Sequence, residues 1–139
     1  MFSIFLAEDN PGDVELLRLA LDEHRVACEL VVAEDGEKAL VFLRQIEAGL
    51  AQCPQLAIID LNLPKKSGRD LLAYLRSSSV FLDLPIIVLS SSASPKDIAE
   101  AAQLGASKYI RKPTSLDGYL QIGEVLKLQI EKPAGGDLR

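Results

Sequence analysis

Apolar and polar positions alternate along this chain in two rhythms. Short apolar runs at residues 3–7, 29–33, 56–61, 85–90 and 107–110 read as strands. The longer stretches between them, near 11–25, 36–50, 67–79, 95–104 and 115–132, carry helical spacing. Two of the runs, around Ile58-Ile59 and Ile86-Ile87-Val88-Leu89, are apolar without interruption, as expected of central strands covered on both faces. In the second helical stretch Leu40, Leu43, Ile46 and Leu50 fall on one stripe.

The helix starts are marked by residues that satisfy orphan backbone N–H groups. Asn10-Pro11-Gly12-Asp13 and Ser94-Pro95-Lys96-Asp97 each offer a cap, a proline at the first helical position and a carboxylate for the positive end of the helix dipole. Ser67-x-x-Asp70 and Thr114-x-x-Asp117 read similarly, and Gly105 is a natural helix stop. Strict alternation of strands and helices predicts an α/β fold, a doubly wound parallel sheet with right-handed crossovers. Residues 1–132 read as one domain and residues 133–139, with Pro133, Gly135 and Gly136, as a flexible C-terminal tail. No output domain is expected after the fifth helix.

Composition narrows the function by exclusion. A length of 139 residues suits one domain with one good core. No apolar stretch approaches the ~20 residues of a membrane span, and the N-terminus lacks the basic start and cleavage site of a signal peptide, so a cytoplasmic location is expected. Cys28 and Cys53 form neither a disulfide framework nor a zinc-ligand spacing. The net charge is −5 with no basic run, so no nucleic-acid partner is expected. His24, the single histidine, reads as an exposed helix-end residue rather than a phosphate carrier.

The chemistry gathers at the carboxyl ends of the strands, where open parallel sheets form their sites. Glu8 and Asp9 follow the first strand, Asp60 closes the third, Ser90 closes the fourth and Lys112 follows the fifth. Three carboxylates at close quarters repel one another, and a divalent cation relieves them; oxygen-only ligands suit Mg²⁺. A carboxylate oriented in that way can attack a phosphoryl group and become an acyl phosphate. Lys112 would neutralise phosphoryl oxygens and Ser90 would donate a hydrogen bond to one. Each residue alone has a plainer explanation: a solvated helix start for Glu8-Asp9, a strand end for Ser90, an exposed lysine for Lys112. Asp60 is harder to explain away, because a charge directly after an apolar run is buried at a cost unless compensated.

Taken together, Leu6-Ala7-Glu8-Asp9-Asn10, Ile58-Ile59-Asp60-Leu61-Asn62-Leu63-Pro64, Val88-Leu89-Ser90-Ser91, Gly105-Ala106-Ser107-Lys108-Tyr109 and Lys112-Pro113 resemble the receiver domains of two-component response regulators. The resemblance spans about residues 2–130. It implies a five-stranded flavodoxin-like sheet of order 2-1-3-4-5, with Glu8 and Asp9 as the acidic metal pair. It further implies Asp60 as phosphoacceptor, the Asn62 carbonyl as another Mg²⁺ ligand, Ser90 as switch hydroxyl, Tyr109 as its aromatic partner and Lys112 as phosphate lysine. Lys112-Pro113 matches the place of a cis peptide in a tight turn.

More narrowly, residues 8–17 and the long segment before the third strand resemble the stand-alone regulators paired with phytochrome kinases. That implies a histidine kinase partner, no output domain and a homodimer, for which the surplus apolar residues of the last helix offer a surface. The family is a phosphoacceptor signalling protein rather than an enzyme, with only slow self-phosphorylation and self-dephosphorylation. Glu8 departs from the family's more usual Asp, and Ser90 from Thr. Ser92 has no charge or amide to orient a hydrolytic water, so the acyl phosphate is not expected to be among the shortest-lived.

Three alternatives fit the residues less well. A haloacid-dehalogenase-like phosphatase wants a second Asp where Asn62 stands. A flavodoxin wants a phosphate loop where Glu8 and Asp9 stand. A pseudo-receiver scaffold would have no need of Asp60, Lys112 and the acidic pair.

Overall fold

The computed structural model describes residues 2–131; the expected tail at 133–139 lies outside them. Five strands alternate with five helices: β1 Phe2–Ala7, α1 Pro11–Glu23, β2 Cys28–Ala33, α2 Gly36–Glu47, β3 Leu56–Ile59, α3 Gly68–Ser77, β4 Ile86–Ser90, α4 Pro95–Gln103, β5 Lys108–Arg111 and α5 Leu116–Glu131. A short 3₁₀ turn, Ser79–Phe81, follows α3, where the helical spacing near 67–79 gives out. All four strand pairings are parallel, in the order β2-β1-β3-β4-β5.

The uninterrupted apolar strands sort their residues by the period of two. Phe5, Ala7, Ala57, Ile59, Ile86 and Val88 face one core, with Ala39, Leu43 and Ile46 of α2, Leu71, Leu72 and Leu75 of α3, and Ala101 of α4. Ile4, Leu6, Leu56, Ile58, Ile87 and Leu89 face the other, with Leu17 and Leu21 of α1 and Tyr119, Ile122 and Leu126 of α5. β3 and β4 are buried throughout, and the edge strands β2 and β5 only in part.

Caps form largely as the sequence implies. Asn10 accepts from Gly12 and Asp13, Ser94 accepts from Asp97, and Ser67 with Asp70 closes a capping box. Gly105 takes a φ of 97°, a left-handed conformation that spares it the Cβ clash other residues would meet. At α5 the cap is Ser115 rather than Thr114: its hydroxyl accepts the Gly118 N–H at 3.1 Å and its carbonyl takes the first helical bond. Leu50 leaves the expected stripe because the chain turns at Gly49, φ 78°, just past α2, and Leu50 is 80% exposed.

His24 is half-buried rather than exposed, since α1 packs on α5 and its Nε2 lies 2.8 Å from the Leu120 carbonyl. No peptide bond among the described residues is cis, so the Lys112-Pro113 bond departs from the resemblance. Trans is the lower-energy form of an X–Pro bond unless the surrounding turn demands otherwise.

Candidate functional site

Parallel strands put their carboxyl ends on one edge, and the polar residues that follow them meet there. Asp60 leaves β3 with its N–H donated to the Ala7 carbonyl at 3.0 Å, and Glu8 leaves β1 with its N–H donated to Ala33 at 3.0 Å. Ser90 is the last residue of β4, and the Lys112 N–H donates to its carbonyl at 2.7 Å. The ladder hydrogen bonds thus carry over one residue past the strands and fix the backbone under each side chain.

Glu8, Asp60 and Ser90 are almost wholly buried, at 1%, 5% and 0% exposure, whereas Asp9 and Asn62 are exposed. Carboxylate oxygens of Glu8, Asp9 and Asp60 lie within 4.8 Å of one another. Asp60 Oδ1 accepts the Asn62 N–H at 3.0 Å, and Oδ2 accepts from Lys112 Nζ at 2.9 Å. Glu8 Oε2 accepts the Asn10 N–H at 3.1 Å. Glu8 Oε1 is 2.9 Å from Lys112 Nζ but outside hydrogen-bond geometry, so it is an ion-pair contact and a buried oxygen without a hydrogen bond.

The electrostatics follow from this crowding. Burial, with the Asp60 charge behind it, pushes the Glu8 carboxyl from 4.5 up to about 7 despite the Lys112 contact. Burial works against the Lys112 ammonium, but the hydrogen bonds to Asp13 and Asp60 and the close Glu8 carboxylate outweigh it and hold the pKa well above the ordinary lysine value. An all-oxygen cluster holding one surplus buried lone pair is suited to a hard divalent cation, which would take up the charge that a single ammonium leaves uncompensated.

Ser90 and Tyr109 meet through Ser92. The Ser92 N–H donates to Ser90 Oγ at 3.2 Å, and the Tyr109 hydroxyl donates to the Ser92 carbonyl at 2.8 Å. The Ser92 hydroxyl donates to Asp97 at 2.6 Å, and Arg69 of α3 grips Asp97 at 2.7 Å and Glu100 at 2.5 Å. The loop after β4 is therefore tied to β5, α3 and α4 at once.

Asp13 is the residue that sequence reasoning assigned only to a helix start. Its Oδ2 accepts from Lys112 Nζ at 2.8 Å, making it one of that lysine's three acidic partners. Gly68 was likewise missed. Its amide donates to the Leu61 carbonyl at 3.0 Å, and an added Cβ would lie 2.2 Å from the Asp60 carbonyl oxygen and 2.6 Å from Leu61 Cα. These are backbone atoms that cannot rotate away. Gly68→Ala is therefore expected to lower stability by about 1–3 kcal/mol, read by thermal unfolding, and to shift Asp60 with it.

With this geometry the chain can be placed: residues 4–122 match the family model for the response regulator receiver domain, and the chain belongs to that family. Among individual proteins it is 33% identical to the response regulator Rcp1 of Synechocystis sp. over 114 residues, 81% of this chain and 78% of that one. The crystal structure of the phosphorylated cyanobacterial phytochrome response regulator RcpA superposes with a TM-score of 0.83 at 38% identity, covering 91% of each chain. The Mn²⁺-bound form of Rcp1 superposes with a TM-score of 0.83 at 30% identity, covering 91% of this chain and 92% of that one. The chain is thus a two-component signalling protein related to phytochrome response regulators. Among the described residues no helix is long and apolar enough to cross a membrane.

Proposed function

We propose that this chain receives a phosphoryl group on Asp60 from a histidine kinase of the phytochrome type and switches a protein-interaction surface in response. The observation that carries the reading is the Asp60 carboxylate itself, 5% exposed at the end of β3 and bonded to Lys112 at 2.9 Å. An anionic Asp60 oxygen attacks phosphorus, the bond from phosphorus to the donor nitrogen breaks, and that nitrogen keeps the electron pair.

Glu8, Asp9, Asp60 and the Asn62 carbonyl are the groups that would hold Mg²⁺, which supplies charge neutralisation for transfer between anions. Lys112 carries the positive charge on the protein's side, and Ser90 offers the hydroxyl that turns toward the new phosphoryl oxygens. The added charge of nearly −2 differs in its contacts between two arrangements of Ser90, and that difference drives the switch. Tyr109 follows because its hydroxyl rests on the Ser92 carbonyl, and Ser92 is bonded to Ser90.

The surface affected is the groove between β5 and α5, about 790 Å³, lined by Tyr109, Arg111, Pro113, Gln121 and Val125 among others. Leu116 and Leu128 of α5 are more than half exposed and give a second copy of the chain an apolar face to pair with. Equilibrium sedimentation with a phosphate mimic is expected to show dimer; monomer under all conditions removes that part of the reading.

The central test uses acetyl phosphate with and without Mg²⁺ and reads the intact mass, then traps the acyl phosphate with borohydride and maps it. One phosphoryl group, dependent on Mg²⁺ and located at Asp60, is the expected result. A folded protein that gains none from acetyl phosphate or from phytochrome-type kinases is a scaffold, and the proposal falls.

A further inference from the structure

Lys112 has three N–H donors and three acidic partners, Glu8 at 2.9 Å, Asp13 at 2.8 Å and Asp60 at 2.9 Å. Two of them, Glu8 and Asp60, belong with Asp9 to the cluster whose oxygens gather within 4.8 Å. Asp13 does not. A cation drawn into that cluster claims the charge of Glu8 and Asp60 and repels the ammonium beside them. Only Asp13 would then still attract Lys112 with its full charge.

The local sequence would have given Asp13 another task. As the third residue of α1 it is placed to reach back and bond the N–H of the cap residue, as the partner in a capping box does. Here the Asn10 N–H is already taken by Glu8 Oε2 at 3.1 Å, so the Asp13 carboxylate is turned across the site to β5's end. Beside it lies the hydroxyl of Tyr119 of α5, a residue 3% exposed. The Asp13 and Lys112 side chains are themselves mostly buried, at 18% and 14% exposure, and a contact largely out of water is stronger.

We propose that Asp13 is a positioning residue for phosphoryl transfer: it holds the Lys112 ammonium in register with Asp60 when a divalent cation occupies the acidic cluster. One Lys112 donor stays on Asp13 and one on Asp60. The third, which Glu8 does not accept, is left for a phosphoryl oxygen. The proposal rests on Asp60 being the phosphoacceptor.

The test compares the full chain with Asp13→Asn, which keeps shape and loses charge, and with Asp13→Glu, which restores charge. In Mg²⁺-loaded, ¹⁵N-labelled protein, the Lys112 side-chain ammonium gives a resolved resonance, assigned by its absence in Lys112→Met. Asp13→Asn is expected to lose that resonance and to slow phosphoryl uptake from acetyl phosphate by about tenfold. Asp13→Glu is expected to regain part of both. Melting temperature checks that each variant is folded. A folded Asp13→Asn that keeps the ammonium signal, or that is phosphorylated at the unsubstituted rate, overturns the proposal. Failure of the unsubstituted protein to accept phosphate overturns the phosphoacceptor reading and this inference with it, so the two failures are told apart.

Discussion

Asp60→Asn is expected to take up no phosphoryl group from acetyl phosphate while remaining folded. The carboxamide lacks the anionic oxygen that attacks phosphorus. Asn keeps the shape of Asp and one oxygen for the Asn62 N–H, a bond of 3.0 Å in the present structure, so the turn after β3 should hold. The variant should also bind Mg²⁺ about tenfold or more weakly, since one charge within contact distance is worth about 1 to 4 kcal/mol at a partly buried site. Intact mass reads the first effect and calorimetric titration the second. A variant that still gains one phosphoryl group would move the acceptor elsewhere, with the exposed Asp9 the first residue to examine.

The fold was legible because its strongest signals are periodic. Ile58-Ile59 and Ile86 to Leu89 are apolar without a break, and both runs proved to be central strands with a core on each face. The place of the site was legible for a related reason: in each strand the change from apolar to polar marks the carboxyl end, and Asp60 stands at such a change. What stayed hidden was long-range. Asp13 has a sufficient local explanation as a helix-start carboxylate, and nothing near it in the chain announces Lys112, 99 positions away. His24 reads as exposed until α1 is laid against α5, where the Leu120 carbonyl meets its ring. Thr114 and Ser115 are adjacent hydroxyls, and only the path of the backbone decides which one caps α5. Leu50 has the right spacing for a stripe that ends before it, because spacing continues through Gly49 and the helix does not. The Gly68 contact with the Asp60 carbonyl is a matter of tenths of an ångström between segments, which no pattern of residue types records.

Lys112→Met is expected to be the most destabilising single change at the site, and its effect should depend on pH and Mg²⁺ in a defined direction. Met preserves the apolar stem of the lysine, so the loss is mainly of charge. Glu8, Asp13 and Asp60 would face one another without the ammonium, and removing one side of a buried ion pair costs about 3–5 kcal/mol. In the unsubstituted, metal-free protein the Glu8 carboxyl is already raised from 4.5 to about 7 by burial. Between those values the folded chain holds a proton that the unfolded chain has released, so stability falls as pH rises through that window and levels off above it. The Lys112 contact is what restrains the rise. Without it Glu8 should hold its proton to higher pH, and the fall in stability should be deeper and continue further into the alkaline range. Mg²⁺ binds the folded state and neutralises the same carboxylates, so saturating Mg²⁺ should recover much of the loss and flatten both curves. Chemical denaturation from pH 5 to 9, with and without Mg²⁺, separates the possibilities. Parallel curves for variant and unsubstituted protein would mean that Lys112 contributes packing alone, and that the buried carboxylates are relieved by something other than its charge.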